Sequence, residues 1–334
     1  MFSDAKVVGR ARVDSSSGLV TLRSCALVRP GGDNASMTDT ARFVLVTGGN
    51  RGIGFATCRE LGARGTHVLL TARDAERGRE SSEAIRAAYP NARVEALVLD
   101  LSSLAAIRQF AVDYRASGRP LHALINSAGS VGLTGPIQFT RDGFELEFGV
   151  NHLGHFLLTQ LLLPVLVASA TAEAPSRVIT ISSIRHIPGK GGAGARFDFD
   201  NLKGEKSYDP RMVYNNTKLA NVWFAHELDL RMRDRGIVSI AACPGFVPQT
   251  MGASKRGLAR WFYNRALMLI PAARTAAVAG REIADLALEP GYANAGGRFF
   301  AGGRAIQSST ESYDLDKARR LWQLSAAATQ FALD

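Results

Sequence analysis

The chain has 334 residues, 46% of them hydrophobic, and a formal net charge of +10. This length and composition allow one large globular domain or two small ones. Three widely spaced cysteines match neither a disulfide framework nor a zinc-ligand set, so we expect a reducing, cytoplasmic location and no metal site. The positive charge is scattered, with no aromatic-interleaved basic tract, which argues against nucleic-acid binding.

The first 40 residues differ from the rest of the chain. They lack hydrophobic periodicity, so we expect 1–40 to be a disordered extension, or a mis-assigned start upstream of Met37. The extension is a poor secretory signal, and its acidic residues count against a transit peptide, although organelle targeting stays open. The apolar run 156–170 is interrupted by polar residues and by proline. It is interpreted as a buried helix, so no membrane span is expected.

From Arg42 onward, short β-branched runs alternate with helix-length segments. The runs are apolar throughout, which is typical of parallel strands covered on both faces. The predicted strands are 42–47, 67–72, 94–99, 121–126, 177–182, 237–243 and 297–301. This order predicts one α/β domain over 41–330, a Rossmann-type doubly wound parallel sheet of about seven strands flanked by helices.

The first predicted strand is followed by the sequence TGGNRGIG at 47–54. Glycines here let the chain turn tightly, let backbone amides approach a pyrophosphate, and let the next helix pack closely on the sheet. The amino end of that helix carries partial positive charge that favours phosphate. The expected cofactor contacts are Gly48, Asn50, Arg51, Gly52, Ile53 and Gly54.

The end of the second strand indicates which dinucleotide is bound. An acidic residue at this point binds ribose hydroxyls, whereas arginine accommodates a 2′-phosphate. The chain has Arg73 there and a second arginine, Arg51, in the glycine turn, which favours NADP(H) over NAD. The alternative is that Arg73 is a solvated surface residue and that Asp74 caps the next helix or binds a ribose hydroxyl.

Tyr214 and Lys218 are candidates for acid/base chemistry. Their spacing of four residues places both on one face of a helix. A tyrosine with a pKa near 10 is a poor proton donor and acceptor at neutral pH, and a nearby ammonium lowers that pKa. Ser183, at the end of the fifth predicted strand, lies at the sheet edge where ligands bind.

Five motifs occur in order: TGGNRGIG, NSAG at 126–129, NHLGHF at 151–156, YNNTK at 214–218 and CPG at 243–245. Together they resemble the short-chain dehydrogenases/reductases over residues 42 to about 324. Sequence around the motifs resembles the retinol dehydrogenase-like and light-dependent protochlorophyllide reductase-like branches.

The resemblance implies roles for individual residues. Tyr214 is the acid/base, Ser183 positions and polarises the substrate oxygen, Lys218 also binds the nicotinamide ribose, and Asn151 holds a water in a proton relay. Further cofactor contacts are implied for Asp100, Leu101, Asn126, Ala128, Gly129, Pro244, Gly245, Val247 and Thr250.

The chain departs from the family pattern at two points. Ser127 replaces an asparagine, which removes a hydrogen bond expected to stabilise the central sheet. Ser183 and Tyr214 are 31 residues apart rather than about a dozen, and we expect the inserted glycine-rich sequence to form a surface loop with FDFDNL folding back near the site. The segment 248–272 resembles the family's substrate lid, and its aromatic residues favour a bulky apolar substrate. Peripheral membrane contact by this segment is an alternative.

The leading hypothesis is therefore an NADP-dependent carbonyl reductase or alcohol dehydrogenase acting on a small molecule. A light-dependent protochlorophyllide-type reductase and a non-catalytic NADP-binding sensor or interaction protein remain as alternatives. A homodimer or homotetramer, through the helices that bear Asn151 and Tyr214, is implied by the resemblance alone.

Overall fold

The computed structural model describes residues 42–131, 135–190, 193–248, 267–268, 270 and 272–333. The predicted N-terminal extension, Thr250 and most of the predicted lid lie outside these residues.

One eight-stranded sheet organises the described chain, with the strand order β3-β2-β1-β4-β5-β6-β7-β8. All neighbouring pairs are parallel except β7 and β8. The strands are β1 (Phe43–Val46), β2 (His67–Ala72), β3 (Arg93–Val98), β4 (Ala123–Asn126), β5 (Ser176–Ile181), β6 (Ile237–Cys243), β7 (Phe299–Ala301) and β8 (Arg304–Ile306). The direction of winding reverses between β1 and β4, which opens a crevice at the carboxyl ends of the strands.

The predicted parallel α/β fold is confirmed. The predicted β2 and β6 match the structure to the residue, and the other five strands differ by one or two residues at an end. The prediction missed β8, which pairs with β7 through the two-residue turn Gly302-Gly303. Both glycines have positive φ, +64° and +71°, as a tight hairpin turn requires. The signal was the glycine pair itself, because β8 is too short and too exposed to form an apolar run.

Helices cover both faces of the sheet. They are α1 (Gly52–Ala63), α2 (Ala75–Ala88), α3 (Leu104–Ala116), α4 (Leu146–Phe148), α5 (Gly154–Ser169), α6 (Pro210–Met232), α7 (Ala276–Leu288) and α8 (Leu315–Ala328). Helices α1, α2 and α7 pack on one face, and α3, α5 and α6 pack on the other. The apolar residues that pointed to buried strands therefore meet helices on each side.

A π-helical turn, Gly149–Leu153, joins α4 to α5. The continuous helix Leu146–Ser169 is long and apolar enough to span a membrane by length and composition, and it is the one such helix among the described residues. Most of its apolar window, 61%, is buried inside the protein, and α5 packs in the core with α3. Its apolar composition is accounted for by that burial, as predicted for the run 156–170.

The C-terminal helix α8 packs across α5 and α6. The Trp322 ring lies 5.1 Å from the ring of Phe156 on α5 and 5.9 Å from the ring of Phe224 on α6. The chain itself therefore covers part of the two helices to which the family resemblance assigns subunit contacts.

We expect Trp322→Ala to lower the free energy of unfolding by about 3–5 kcal/mol, because the substitution leaves a cavity beside two aromatic rings. Urea denaturation measures the loss. Leu315→Ala on the same helix is the control, since Leu315 is 46% exposed and its truncation should cost less than about 0.5 kcal/mol. Equal losses in the two variants would show that α8 is not anchored by Trp322.

Candidate active site

Two consecutive serines follow β5 and have different partners. Ser182 is buried, and its hydroxyl donates to the Lys218 carbonyl at 2.7 Å, which fixes α6 against the end of the strand. Ser183 precedes a 3₁₀ turn, Ile184–His186, and its Oγ accepts the Arg185 N–H at 3.3 Å. The Ser183 side chain also interacts with Tyr214 and opposes the rise in the pKa of its phenol. The structure thus brings the second serine, and not the first, to the tyrosine.

Tyr214 and Lys218 lie one turn apart on α6. Asp209 caps the start of this helix by accepting the Arg211 N–H at 2.9 Å. The Lys218 Nζ lies 5.5 Å from the centroid of the Tyr214 ring and donates to the Ile181 carbonyl at 3.2 Å. The ammonium is buried, so the helix face predicted from the spacing places phenol and ammonium together at the end of β5.

Burial dominates the electrostatics of this pair. It raises the pKa of Tyr214 to about 12, opposed by the hydrogen bond from Ser183. It lowers the pKa of Lys218 to about 8, opposed by the charge of the buried Glu147. The expectation that Lys218 brings the Tyr214 pKa below its ordinary value is therefore wrong for this structure, because the desolvation of the phenolate outweighs the hydrogen bond from Ser183 and the positive charge of Arg185.

Asn151 lies in the π-helical turn and is fully buried. Its Oδ1 accepts the Ser130 N–H at 2.7 Å, and its Nδ2 donates to the Ser130 carbonyl at 2.9 Å. A contact of 3.5 Å to the Thr217 hydroxyl links it to α6. Asn151 therefore ties the loop after β4 to the helix that carries Tyr214 and Lys218.

The hydroxyl of Thr47, at the end of β1, joins three elements. Its Oγ1 accepts the backbone N–H groups of Ser127 and Ala128, both at 2.9 Å. Burial lowers the pKa of His155 to about 4, so its ring is neutral, and its Nδ1–H donates to the Asn151 carbonyl at 3.1 Å. The remaining nitrogen, Nε2, therefore accepts from the Thr47 hydroxyl at 2.9 Å.

This arrangement bears on the replacement of an asparagine by Ser127. The turn is held to β1 through its backbone amides by Thr47, and no side chain at position 127 is needed for that link. The roles of Thr47 and His155 were not predicted from the sequence. Thr47 is 80 residues from Ser127 and 108 residues from His155 in the chain, so no local pattern indicates these contacts.

The glycines of the turn pack closely on neighbouring backbone, where a side chain would not fit. Gly48 has φ +64°, and a Cβ there would lie 2.9 Å from the Ala128 Cα. A Cβ on Gly54 would lie 2.5 Å from the Gly48 carbonyl oxygen. No side chain caps the start of α1 at Gly52 and Ile53, since the N-cap residue Arg51 makes no capping hydrogen bond. Free amides at a helix amino end fit a pyrophosphate, so the predicted turn, including Asn50, suits a dinucleotide.

The residues proposed to select the 2′-phosphate are exposed. Arg51 and Arg73 point from the glycine turn and from the end of β2, and no hydrogen bond or ion pair holds either side chain within the part of the chain that the structure describes. Asp74 caps α2 by accepting the Arg77 N–H at 2.9 Å. The structure therefore shows the capping alternative for Asp74. Arg73 remains as the exposed positively charged side chain at the end of β2.

Asp100 follows β3 and is held in place. Its Oδ1 accepts the backbone N–H of Ser102 at 3.0 Å and the Ser102 hydroxyl at 2.7 Å, and its Oδ2 lies 3.3 Å from the Arg141 guanidinium. Burial raises its pKa, but these partners and Arg73 outweigh burial and hold the pKa below its ordinary value. The carboxylate is fixed beside the buried Leu101, where the adenine contact is predicted.

Asn126 does not present its side chain to the crevice. The side chain is buried, and its Nδ2 donates to the Thr159 hydroxyl at 3.1 Å and to the Thr180 hydroxyl at 3.4 Å. Only its backbone is left for the predicted cofactor contact. Ala128 and Gly129 continue the turn, and a Cβ on Gly129 would lie 3.4 Å from the Asn151 Oδ1.

Cys243 organises the loop after β6. Its Sγ accepts the Ile184 N–H and the Gly245 N–H, both at 3.4 Å, so one thiol links the turn after Ser183 to the Pro244-Gly245 segment. Gly245 has φ +82°, which favours glycine, and Val247 is buried. The buried thiol is therefore a hydrogen-bond acceptor and not only a small apolar side chain. No cluster of three or more metal-ligating side chains occurs among the described residues.

The long insertion is fastened to α6 by the two asparagines of YNNTK. Asn215 donates to the Gly194 carbonyl at 2.8 Å, and the Asn216 side chain both accepts from and donates to the Arg196 backbone. Phe197 packs against the rings of Phe148 and Trp223. FDFDNL thus folds back on α6, as expected, and borders a cavity of about 130 Å³ that Thr217 also lines.

We expect Thr47→Val to lower the free energy of unfolding by about 2–4 kcal/mol, because it leaves two partly buried amides without an acceptor and the buried His155 without a donor. Chemical denaturation measures this loss. Thr57→Val is the matched control: Thr57 is equally buried, but its hydroxyl only donates to the Ile53 carbonyl within α1. A loss no larger than that of the control would contradict the role of Thr47.

Comparison with known proteins agrees with this geometry. A sequence model described as short chain dehydrogenase matches residues 42–193. Retinol dehydrogenase 11 of Mus musculus is 35% identical over 307 residues, which cover 92% of each protein. The solved structure of an uncharacterized protein from Mycobacterium paratuberculosis is 31% identical, with a TM-score of 0.65, and covers 87% of this chain and 95% of that one. The Pseudomonas aeruginosa RhlG/NADP active-site complex is 26% identical, with a TM-score of 0.63, over 78% of this chain and 95% of that one. The chain belongs to the short-chain dehydrogenase family and is retinol dehydrogenase-like.

Proposed function

We propose that the chain is an NADP(H)-dependent oxidoreductase that transfers a hydride between nicotinamide and a carbonyl or alcohol carbon, with Tyr214 as acid/base. The observation that carries this proposal is the meeting of Ser183, Tyr214 and the buried Lys218 ammonium at the end of β5. The glycine turn, which leads into a helix start without a side-chain cap, lies at the same carboxyl edge of the sheet. The proposed domain spans 41–330.

The side chains have distinct tasks in carbonyl reduction. A dinucleotide held through its pyrophosphate at the glycine turn would supply the hydride from its nicotinamide ring, or accept it in alcohol oxidation. Tyr214 donates its phenolic proton to the substrate oxygen as negative charge develops there, and Ser183 donates a hydrogen bond to that oxygen. Lys218 stabilises the phenolate that forms on Tyr214, and we propose that its ammonium also binds the nicotinamide ribose. In alcohol oxidation each proton transfer runs in reverse.

The preference for NADP(H) rests on Arg51 and Arg73. Two exposed guanidiniums flank the adenosine end of the site, and such groups form charge-assisted hydrogen bonds with phosphate. One similar solved structure holds NADP in its active site, which supports a nicotinamide cofactor.

The substrate is proposed to be a bulky apolar small molecule, in keeping with the retinol dehydrogenase relatives. Within the chain, the aromatic residues of 248–272, which lie outside the described residues, favour such a substrate. The cytoplasmic location and the homodimer or homotetramer stay predictions. A peripheral membrane contact of 248–272 falls mostly outside the described residues.

Fluorescence titration with NADPH and NADH, followed by turnover of aldehydes and ketones, tests the proposal. We expect tighter binding of NADPH, and we expect Arg73→Ala to weaken NADPH binding about tenfold with little effect on NADH. Tyr214→Phe should lower kcat by at least about 100-fold while NADPH still binds.

Two variants serve as controls. Arg281→Ala removes one exposed positive charge from α7 and should leave the preference unchanged. Tyr208→Phe removes a phenol just outside α6 and should leave kcat unchanged. Absence of binding for both nucleotides would overturn the cofactor assignment, and full activity of Tyr214→Phe would overturn the acid/base assignment.

The pH dependence should reveal Lys218. Its lowered pKa of about 8 means that the ammonium loses its proton as pH rises through about 8, so kcat/KM for NADPH should fall above that pH. Because arginine stays protonated, Lys218→Arg should retain a lower activity without this alkaline decline. An unchanged alkaline decline in Lys218→Arg would assign the titration to another group.

A further inference from the structure

Three buried histidines connect the active-site elements to one stretch of chain, Ser308–Ser325, which we call the C-terminal segment. His152 bonds the Ser325 hydroxyl at 2.8 Å, and His226 bonds the Ser312 carbonyl at 3.0 Å. His186 bonds the Ser308 hydroxyl at 2.7 Å. The segment is far from Ser183 in sequence, yet it reaches the elements that carry the site.

His186 makes the most direct of these connections. It ends the 3₁₀ turn that begins after Ser183, and its ring is 1% exposed. The Nδ1 atom bonds the Ser183 carbonyl oxygen, which can only accept, so Nδ1 carries the proton. Burial lowers the pKa of His186 to about 4, so the ring is neutral at pH 7. Its Nε2 therefore accepts a hydrogen bond from the Ser308 hydroxyl.

The position of the His186 ring is fixed by further contacts. The ring packs edge-on against Phe299 of β7, with 5.2 Å between centroids. Ser308 is held in turn, since its backbone N–H donates to the Tyr313 hydroxyl at 3.0 Å. The ring therefore connects the C-terminal segment to the Ser183 backbone in a fixed position.

The His186 ring contacts Ser183, the residue whose position relative to Tyr214 matters for the proposed chemistry. The Ser183 side chain interacts with Tyr214, and the backbone carbonyl of the same residue accepts a hydrogen bond from the His186 ring. A catalytic hydrogen bond is sensitive to shifts well below 1 Å. Loss of the Ser308 hydroxyl would leave the ring nitrogen without a donor and free the ring to shift, and the Ser183 backbone would shift with it.

We propose that His186 and Ser308 are positioning residues that hold the Ser183 hydroxyl toward Tyr214, so that the C-terminal segment is part of the active-site scaffold. The effect on turnover rests on the proposed function, whereas the effect on the Ser183 turn does not.

Ser308→Ala tests this proposal, because it removes one hydroxyl and leaves the histidine in place. Ser309→Ala is the matched control: Ser309 is adjacent and similarly buried, and its Oγ makes no hydrogen bond among the described residues. We expect Ser308→Ala to lower kcat about tenfold, equivalent to about 1.4 kcal/mol, with the KM for NADPH within about twofold of the parent value. Ser309→Ala should change neither constant.

A double-mutant cycle separates positioning from general destabilisation. If Ser308 acts through Ser183, then Ser308→Ala should cause no further loss of kcat in a Ser183→Ala background. Equal losses in both backgrounds, or an equal loss in Ser309→Ala, would overturn the proposal.

Hydrogen–deuterium exchange gives a readout that needs no substrate. The turn after Ser183 is closed by the amides of His186 and Ile187, which donate to the Ser183 and Ile184 carbonyls. Both amides should exchange faster in Ser308→Ala and at the parent rate in Ser309→Ala. Unchanged exchange would overturn the positioning role. Faster exchange in a protein that turns over no carbonyl compound would retain that role and refute the proposed function.

Discussion

The hydroxyl of Thr47 satisfies two backbone amides of the turn after β4 and donates to a neutral His155, whose other nitrogen bonds the carbonyl of Asn151. Thr47, His155 and Asn151 are buried and the two amides are partly buried, so an unpaired partner would cost about 1–3 kcal/mol. The crevice at the sheet reversal depends on this junction, because it fixes the end of β1, where the glycine turn begins, relative to the π-helical turn. The residues predicted to contact the cofactor and those proposed to transfer protons are thereby fixed relative to one another.

The same burial that makes these hydrogen bonds strong also decides the electrostatics of the site. The Lys218 ammonium and the Tyr214 phenol both lie where charge is poorly solvated, so each has a pKa moved toward its neutral form. A phenol that keeps its proton until a substrate oxygen becomes negative is suited to donate it. The hydrogen bond from Ser183 opposes the rise in the Tyr214 pKa, so the position of this serine affects how readily the phenol ionises.

Elements from the second half of the chain pack on the helices next to the site. The insertion packs Phe197 on α6 and is tied there by Asn215 and Asn216, while α8 packs Trp322 on α5 and α6. Elements that differ most from a minimal parallel α/β domain thus pack on the helix that bears Tyr214. Their aromatic contacts support the helix that carries Tyr214 and Lys218.

The parallel sheet, the glycine turn and the helix that carries Tyr214 and Lys218 were predictable from the amino-acid sequence, because each depends on residues close together in the chain. Runs of apolar residues specify strands covered on both faces, and a spacing of four specifies one helix face. The eighth strand also had a local signal in Gly302-Gly303, although it was too short to form an apolar run.

Other properties follow from the packing of the folded chain: the direction of the Tyr214 pKa shift, the burial of the Asn126 side chain and the contacts of Thr47, Cys243 and His186. These properties arise from desolvation and from hydrogen bonds between residues far apart in the chain, such as His186 and Ser308, 122 positions apart. A one-dimensional pattern records which residues are polar. Which of them becomes a partner inside the core depends on how the folded elements pack.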